Sequence, residues 1–181
     1  YCDELDGVAG RAGSVNTLVI RDGRVLGSST DGQAVTDAVE ATGGRVLVLG
    51  AGGAAQAVAT AVVDAGCASL RVAARRPERA HALALRLRTL APGRAVEADE
   101  SWPPAAGDAD LVLNATPVLD ETLVELGGVR QVVDMGYRPA GGDTALVAAA
   151  RAEGCERVVE GLDVRVAQGA LSFERWTGLP A

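Results

Sequence analysis

The stretch Arg45-Val-Leu-Val-Leu-Gly-Ala-Gly-Gly-Ala-Ala55 constrains this chain most. Val46 to Leu49 run apolar without a polar break, the pattern of a strand buried on both faces of a parallel sheet. The run stops at Gly50. Gly50, Gly52 and Ala55 then form G-x-G-x-x-A, followed by Ala57-Val-Ala-Thr-Ala-Val-Val63, which reads as a helix. Between a buried strand and a helix this string has a physical logic. Gly50 allows a tight turn, Gly52 lets a pyrophosphate approach the amides that open the helix, and Ala55 lets helix and strand pack closely. An ordinary strand-turn-helix without a ligand is the competing reading of the window alone.

The segments that follow extend the pattern. Ser69 to Ala73, Arg94 to Glu97, Ala109 to Leu113, Gln131 to Asp134 and Arg157 to Glu160 read as strands. Helices are expected from Pro77 to about Leu90, from Thr144 to Glu153, and from Gly161 to about Trp176. Strands alternating with helices predict an α/β fold, a doubly wound parallel sheet of the Rossmann type. Upstream, Gly13 to Ile20 and Arg24 to Gly27 read as two strands joined at Asp22-Gly23, a hairpin signal. A helical tail is expected at residues 3–9. A further helix is expected from about Gln33 to Ala41, with Thr30 or Asp31 able to cap it. The hairpin does not belong to the βαβ series. It therefore reads as an orphan from a truncated substrate domain, residues 1–32 being its remnant and 33–181 the nucleotide-binding domain.

Charge and composition narrow the partners. At 48% hydrophobic, 23% charged and net charge −7, the chain suits a globular fold and argues against nucleic acid or anionic membrane as the main partner. No apolar run reaches the length of a membrane span. Cys2, Cys67 and Cys155 are far apart and make neither a metal spacing nor a disulfide framework, which suits a reducing cytoplasm. No metal is expected. All 17 basic residues are Arg, so the chain has no Lys.

In doubly wound sheets ligands bind outside the carboxyl ends of the strands. After the second strand of the series, the place where NAD enzymes commonly carry an acid for the ribose hydroxyl holds Ala74, then Arg75, Arg76 and Arg79. Cations at a helix N-terminus oppose its dipole, so an anionic ligand explains the cluster better than a solvated helix start. Guanidinium forks suit a 2′-phosphate, which predicts NADP over NAD. Asn16, Asp31 and Gln168 are the other polar residues of interest. On spacing alone they read as a strand-edge polar residue, a helix cap and a helix-surface residue. The sharper alternative has Asn16 and Asp31 ending the hairpin strands at one cleft, with Gln168 reaching it from the last helix.

Taken together, these segments resemble the shikimate dehydrogenase family from about residue 13 to 178. Gly13-Ser-Val-Asn-Thr-Leu18 looks like its G-A-V-N-T segment and Ser29-Thr-Asp-Gly32 like its N-T-D-G. Gly50-Ala-Gly-Gly-Ala54 matches G-A-G-G-A, and Asn114-Ala-Thr-Pro117 matches N-A-T-P. Asp134-Met-Gly-Tyr-Arg-Pro139 resembles D-x-x-Y-x-P. Gly161-Leu162 with Gln168, Phe173 and Trp176-Thr-Gly178 resembles the family's last helix. The resemblance implies NADPH-dependent reduction of 3-dehydroshikimate to shikimate, a small-molecule substrate and a cytoplasmic setting; a homodimer is left open. It implies that Asn16 and Gln168 bind substrate hydroxyls, that Asp31 is the acid of a Lys–Asp catalytic pair, and that Tyr137 lies near substrate and nicotinamide. Gly50, Ala51, Gly52, Gly53, Ala54 and Ala55 would hold the pyrophosphate, and Arg75, Arg76 and Arg79 the adenosine phosphate. Asn114, Ala115, Thr116, Pro117 and Gly161 would complete the cofactor cleft.

The chain also departs from the family. The catalytic Lys and the carboxylate-binding serines lie in about a hundred N-terminal residues that this sequence lacks. The family's Asn in N-T-D-G is Ser29, and its Met-Leu pair on the last helix is Val164-Arg165. Quinate or an aminoshikimate analogue, and a non-catalytic NADP-binding module, are the alternative readings.

Overall fold

The structure, a computed structural model, describes residues 2–181. A six-stranded sheet contains β4 (Arg45–Leu49), β5 (Ser69–Ala73), β6 (Ala95–Ala98), β7 (Leu111–Asn114), β8 (Gln131–Asp134) and β9 (Arg157–Val159). Its order is β6-β5-β4-β7-β8-β9, and every pairing is parallel. The direction of winding therefore reverses beside β4, the strand that ends in the glycine turn, and puts a crevice there.

Pleating divides the unbroken apolar run of β4 between two cores. Val46 and Val48 pack on one face with α3 (Gly53–Asp64), α4 (Pro77–Leu90) and Val164 of α6 (Gly161–Thr177). Leu47 and Leu49 pack on the other with α5 (Ala145–Ala152) and the irregular segments around Trp102 and Val124. Both leucines are fully buried, each worth about 2 kcal/mol in area removed from water. The crossovers 99–110 and 115–130 carry no helix. At the start of β4 the Arg45 guanidinium forks onto Asp110 at 2.9 and 3.1 Å, and the carboxyl of Asp110 is held well below its usual range.

The hairpin forms as β2 (Thr17–Arg21) and β3 (Arg24–Ser28), antiparallel about Asp22-Gly23. The expected helical tail at 3–9 is instead a short strand, β1 (Glu4–Leu5), followed by α1 (Gly7–Ala12). β1 runs parallel to β3, giving a three-stranded sheet in the order β1-β3-β2. Asp6 shifts the helix start, because its carboxylate accepts the Ala9 amide at 2.6 Å as an N-cap. The helix α2 spans Asp31–Thr36, shorter than expected. Past it, the Gln131 side chain takes both backbone groups of Glu40 at 3.0 Å, replacing helical bonds with a long-range pair. This turn lets Val39 and Ala41 enter the core.

α6 joins the two sheets. Its first residue, Gly161, meets the Gly136 carbonyl so closely that a Cβ would overlap it. Near its other end, the Trp176 indole donates to the Leu18 carbonyl of β2 at 3.0 Å.

Candidate functional site

The carboxyl ends of β4, β5 and β7 open on a cleft of about 470 Å³. Gly50, Ala51 and Gly52 line it from the turn after β4. Arg75, Arg76 and Arg79 come from the start of α4, and Ala115, Thr116 and Pro117 from the turn after β7. Gly50 has φ +110°, and a Cβ there would stand 3.1 Å from the Ala115 carbonyl oxygen, so both conformation and crowding call for glycine. Beside Gly52 there is nothing within 4 Å of where a Cβ would be. That open space lies at the N-terminus of α3, where unpaired amides and the helix dipole favour an anion. Gly53 and Ala54 form the first turn of α3, and Ala55 is fully buried beneath it. A larger hollow of about 1060 Å³ adjoins the cleft past Glu121 and Leu123, but Glu121, Glu125 and Glu153 on its wall would repel a phosphate.

Arg75, Arg76 and Arg79 are exposed, and among the described residues none pairs with a carboxylate. Three uncompensated guanidiniums at one end of the cleft and helix amides at the other form a cradle for a ligand with two separated phosphate groups. No acid stands at the end of β5, where Ala73 and Ala74 are buried.

Asn114 is not a lining residue. It is buried behind the turn and aims it. Its amide donates to Asp134 Oδ1 at 2.9 Å, and its side-chain oxygen accepts the Thr116 amide at 3.0 Å and hydroxyl at 2.7 Å. Asp134, fully buried, also accepts from the Gly136 amide at 3.0 Å and from the Thr144 hydroxyl. Burial pushes its carboxyl above the usual range, against the pull of these donors.

Asn16, Asp31 and Gln168 come together from three distant segments. The Asn16 amide donates to Asp31 Oδ1 at 2.7 Å and to Thr30 Oγ1 at 2.9 Å, and reaches Gln168 Oε1 at 3.3 Å. Asn16 Oδ1 accepts the Thr30 backbone amide at 3.0 Å. Thr30 occupies the N-cap of α2 without a side-chain cap bond, and Asp31 is the first helical residue. Thr30, not Asp31, therefore holds the cap position, and the Asp31 carboxylate takes the Asn16 amide instead. Burial raises the Asp31 carboxyl above its usual range, and the Asn16 bond partly offsets this. Two hydroxyls that sequence spacing did not single out support the cluster: Ser172 Oγ lies 2.6 Å from Thr17 Oγ1 and 3.2 Å from Thr30 Oγ1. Ser172 stands four residues after Gln168 on the same helix face, the spacing that would have pointed to it. The segment also touches the cofactor turn, since a Cβ on Gly53 would stand 3.0 Å from Ser14 Oγ.

Tyr137 and Gly161 lie in a third place. With Gly136 and Leu162 they line a small recess of about 50 Å³ at the end of β8. The Tyr137 ring lies under the Arg165 guanidinium, 5.3 Å from its centroid. Gly161 faces the Gly136 backbone rather than the 470 Å³ cleft.

The geometry agrees with comparisons to known proteins. Residues 33–134 match the family model described as Shikimate / quinate 5-dehydrogenase. The chain is 41% identical to the shikimate dehydrogenase (NADP(+)) of Moorella thermoacetica, over 100% of this chain and 66% of that protein. It thus spans about two thirds of the length of that relative. The shikimate 5-dehydrogenase of Thermus thermophilus, solved with NADP(H) and shikimate, superposes with a TM-score of 0.79 at 34% identity, covering 99% of this chain and 68% of that one. The ligand-free 5-ketofructose reductase of Gluconobacter sp. strain CHM43 superposes with a TM-score of 0.85 at 29% identity, covering 99% and 68%. By its matched family model, its relatives and its sheet, the chain belongs to the shikimate / quinate 5-dehydrogenase family.

Proposed function

We propose that this chain binds NADP in the cleft at the ends of β4, β5 and β7, and that it forms the cofactor-binding half of an enzyme that reduces 3-dehydroshikimate to shikimate. The observation that carries the reading is the convergence of Asn16, Asp31 and Gln168, from segments 15 and 152 residues apart, on one hydrogen-bonded group beside the cofactor turn. The residues of the cleft fit the cofactor. The amides opening α3 face open space for a pyrophosphate, and Arg75, Arg76 and Arg79 are unpaired forks for a 2′-phosphate.

When bound, the nicotinamide supplies hydride to a ketone carbon. The residues of this chain orient the two reactants and manage the proton. Asn16 and Gln168 present amide groups to substrate hydroxyls. Asp31 carries the proton bound for the ketone oxygen, and burial, which raises its carboxyl, favours the protonated form that role needs. The family pattern pairs this acid with a lysine, and these 181 residues contain none. The reading therefore draws the ammonium from chain outside them, takes residues 1–32 as part of a substrate-binding unit, and expects these residues alone to bind cofactor without turnover.

Likeness to a 5-ketofructose reductase favours a second reading, reduction of a neutral polyol ketone on the same fold. A test on the full-length protein separates the two: NADP reduction with shikimate and with quinate, beside NADPH oxidation with 5-ketofructose. Turnover with shikimate supports the first reading. Turnover with 5-ketofructose alone replaces it with the second. Tight NADPH binding with no turnover leaves a nucleotide-binding module.

A further inference from the structure

The cleft at the ends of β4, β5 and β7 has one aromatic side chain in its lining. Trp102 stands there with Arg75, Arg76 and Arg79. It is half-buried, and it packs on the core that holds Leu47, Leu49 and Ala73. Leu123 rests on the same core and lines the same cleft. Trp102 falls outside every segment that resembles the family.

The loop that carries Trp102 is fixed by side chains rather than by a helix. Arg71 of β5 reaches it with both ends of its guanidinium. Nη1 donates to Asp99 at 2.9 Å, and Nη2 donates to the carbonyls of Ala105 and Ala106 at 2.8 and 2.6 Å. The other Asp99 oxygen accepts the amide of Ser101 at 2.8 Å, directly before Trp102. Gly107 leaves room for the clamp, since a Cβ there would stand 3.3 Å from the Arg71 guanidinium. One guanidinium thus ties both ends of the loop, and Trp102 lies between the ties. An indole ring set in advance can stack on a flat ligand with little ordering cost.

A 2′-phosphate and a purine base stand on neighbouring carbons of one ribose. A ligand whose phosphate meets Arg75, Arg76 and Arg79 therefore brings its base within reach of the wall beside them. Resting on the NADP reading above, we propose that Trp102, set by the Arg71 clamp, is the stacking wall for the adenine ring of the cofactor. The base is common to NADPH and NADH, so Trp102 adds affinity for both, whereas the arginines distinguish between them. Trp102 takes no part in hydride or proton transfer, and Arg71 is a positioning residue that acts through it.

The test is calorimetric titration of the full-length protein with NADPH, NADH and adenosine 2′,5′-bisphosphate, comparing wild type, Trp102→Ala and Trp102→Phe. The bisphosphate keeps the base and the 2′-phosphate and omits the nicotinamide. Expected for Trp102→Ala is about tenfold weaker binding of all three ligands, the scale of one lost base stack. Trp102→Phe should stay within about threefold of wild type, because a flat ring remains. Indole emission gives a second readout that a merely structural role would not move. Adenine does not absorb that emission, so quenching by the bisphosphate reports contact with the base. Wild type should be quenched, and Trp102→Phe should bind without the quench, the emission of Trp176 remaining. Unchanged affinity in Trp102→Ala, a loss confined to NADPH and the bisphosphate, or a quench that is missing from wild type or survives Trp102→Phe overturns the proposal, while wild-type binding of the bisphosphate leaves the NADP reading intact. A wild type that binds neither NADPH nor the bisphosphate overturns both.

Discussion

The Asn114 amide donates to the Asp134 carboxylate at 2.9 Å and so ties together the ends of neighbouring strands beneath the cofactor turn. Burial raises the Asp134 carboxyl above its unfolded value near 3.8. Its ionised form therefore costs stability in the folded state, a cost absent below about pH 4 and incurred as pH rises past it. Asp134→Asn keeps an acceptor for Asn114 and Gly136 and removes the charge. Thermal unfolding of both proteins between about pH 4 and about pH 7 should move the Tm difference in favour of the variant as pH rises. A difference that stays level would show that Asp134 carries no such penalty.

Asp31 is expected to matter for turnover rather than for cofactor affinity. In the full-length enzyme Asp31→Asn should lower kcat by about a hundredfold, the scale of a lost general acid. The KM for NADPH should stay within about twofold, since Asp31 does not line the cofactor cleft. Unaltered kcat would remove Asp31 from the proton path.

Arg75 and Arg76 are expected to decide between cofactors. Calorimetric titration should give tighter binding of NADPH than of NADH. Replacing both arginines with Ala should weaken NADPH by about a hundredfold and NADH little, two charge-assisted contacts being lost. The preference should shrink as salt is added. Equal affinities in the unaltered protein would refute the role of the cluster.

Arg86 holds the first helix to the nucleotide-binding body. Its guanidinium donates to the Arg11 and Ala12 carbonyls at the C-terminus of α1 and to Gln56 at 3.0 Å. A cation there also suits the helix dipole. Arg86→Leu should cost about 1–2 kcal/mol in denaturant unfolding and raise protease cleavage near residue 12. A loss confined to a few tenths would mean that α1 docks without it.

Ser29 stands where the family pattern has Asn, and its hydroxyl is buried without a hydrogen-bond partner. Ser29→Ala removes an unsatisfied group at almost no loss of volume, so a gain of about 1 kcal/mol is expected in the same assay. A loss would reveal a partner for the hydroxyl.

The parallel sheet was legible because its signals are local. Val46 to Leu49 end in a glycine turn, Pro77 opens α4, and Gly154 follows α5. The features that escaped sequence reasoning depend on partners far along the chain. Helix α2 ends at Thr36 because Gln131 captures Glu40, 91 residues away. The strand β1 exists because Asp3 and Asp6 meet the far side of β3, where their amides bond Val25 and Gly27. At the site, spacing alone favoured bland roles for Asn16, Asp31 and Gln168; only the family resemblance assembled them, and the hydrogen bonds place them together. Gly161, expected among the cofactor contacts, answers instead to the nearness of the Gly136 carbonyl, which no local pattern announces.

The helix α6 is the beam on which the two sheets hang. Its Gly161 end is pinned to the parallel sheet and its Trp176 end to β2, with about 22 Å of rigid rod between them. Tilting that rod by about 5° about the glycine would carry the tryptophan, and the hairpin with it, through about 2 Å. Gln168 lies midway and would travel about half as far. The angle of that helix is thus one of the ties, together with α1 and α2 packed on α3, that set where Asn16 stands relative to the turn after β4.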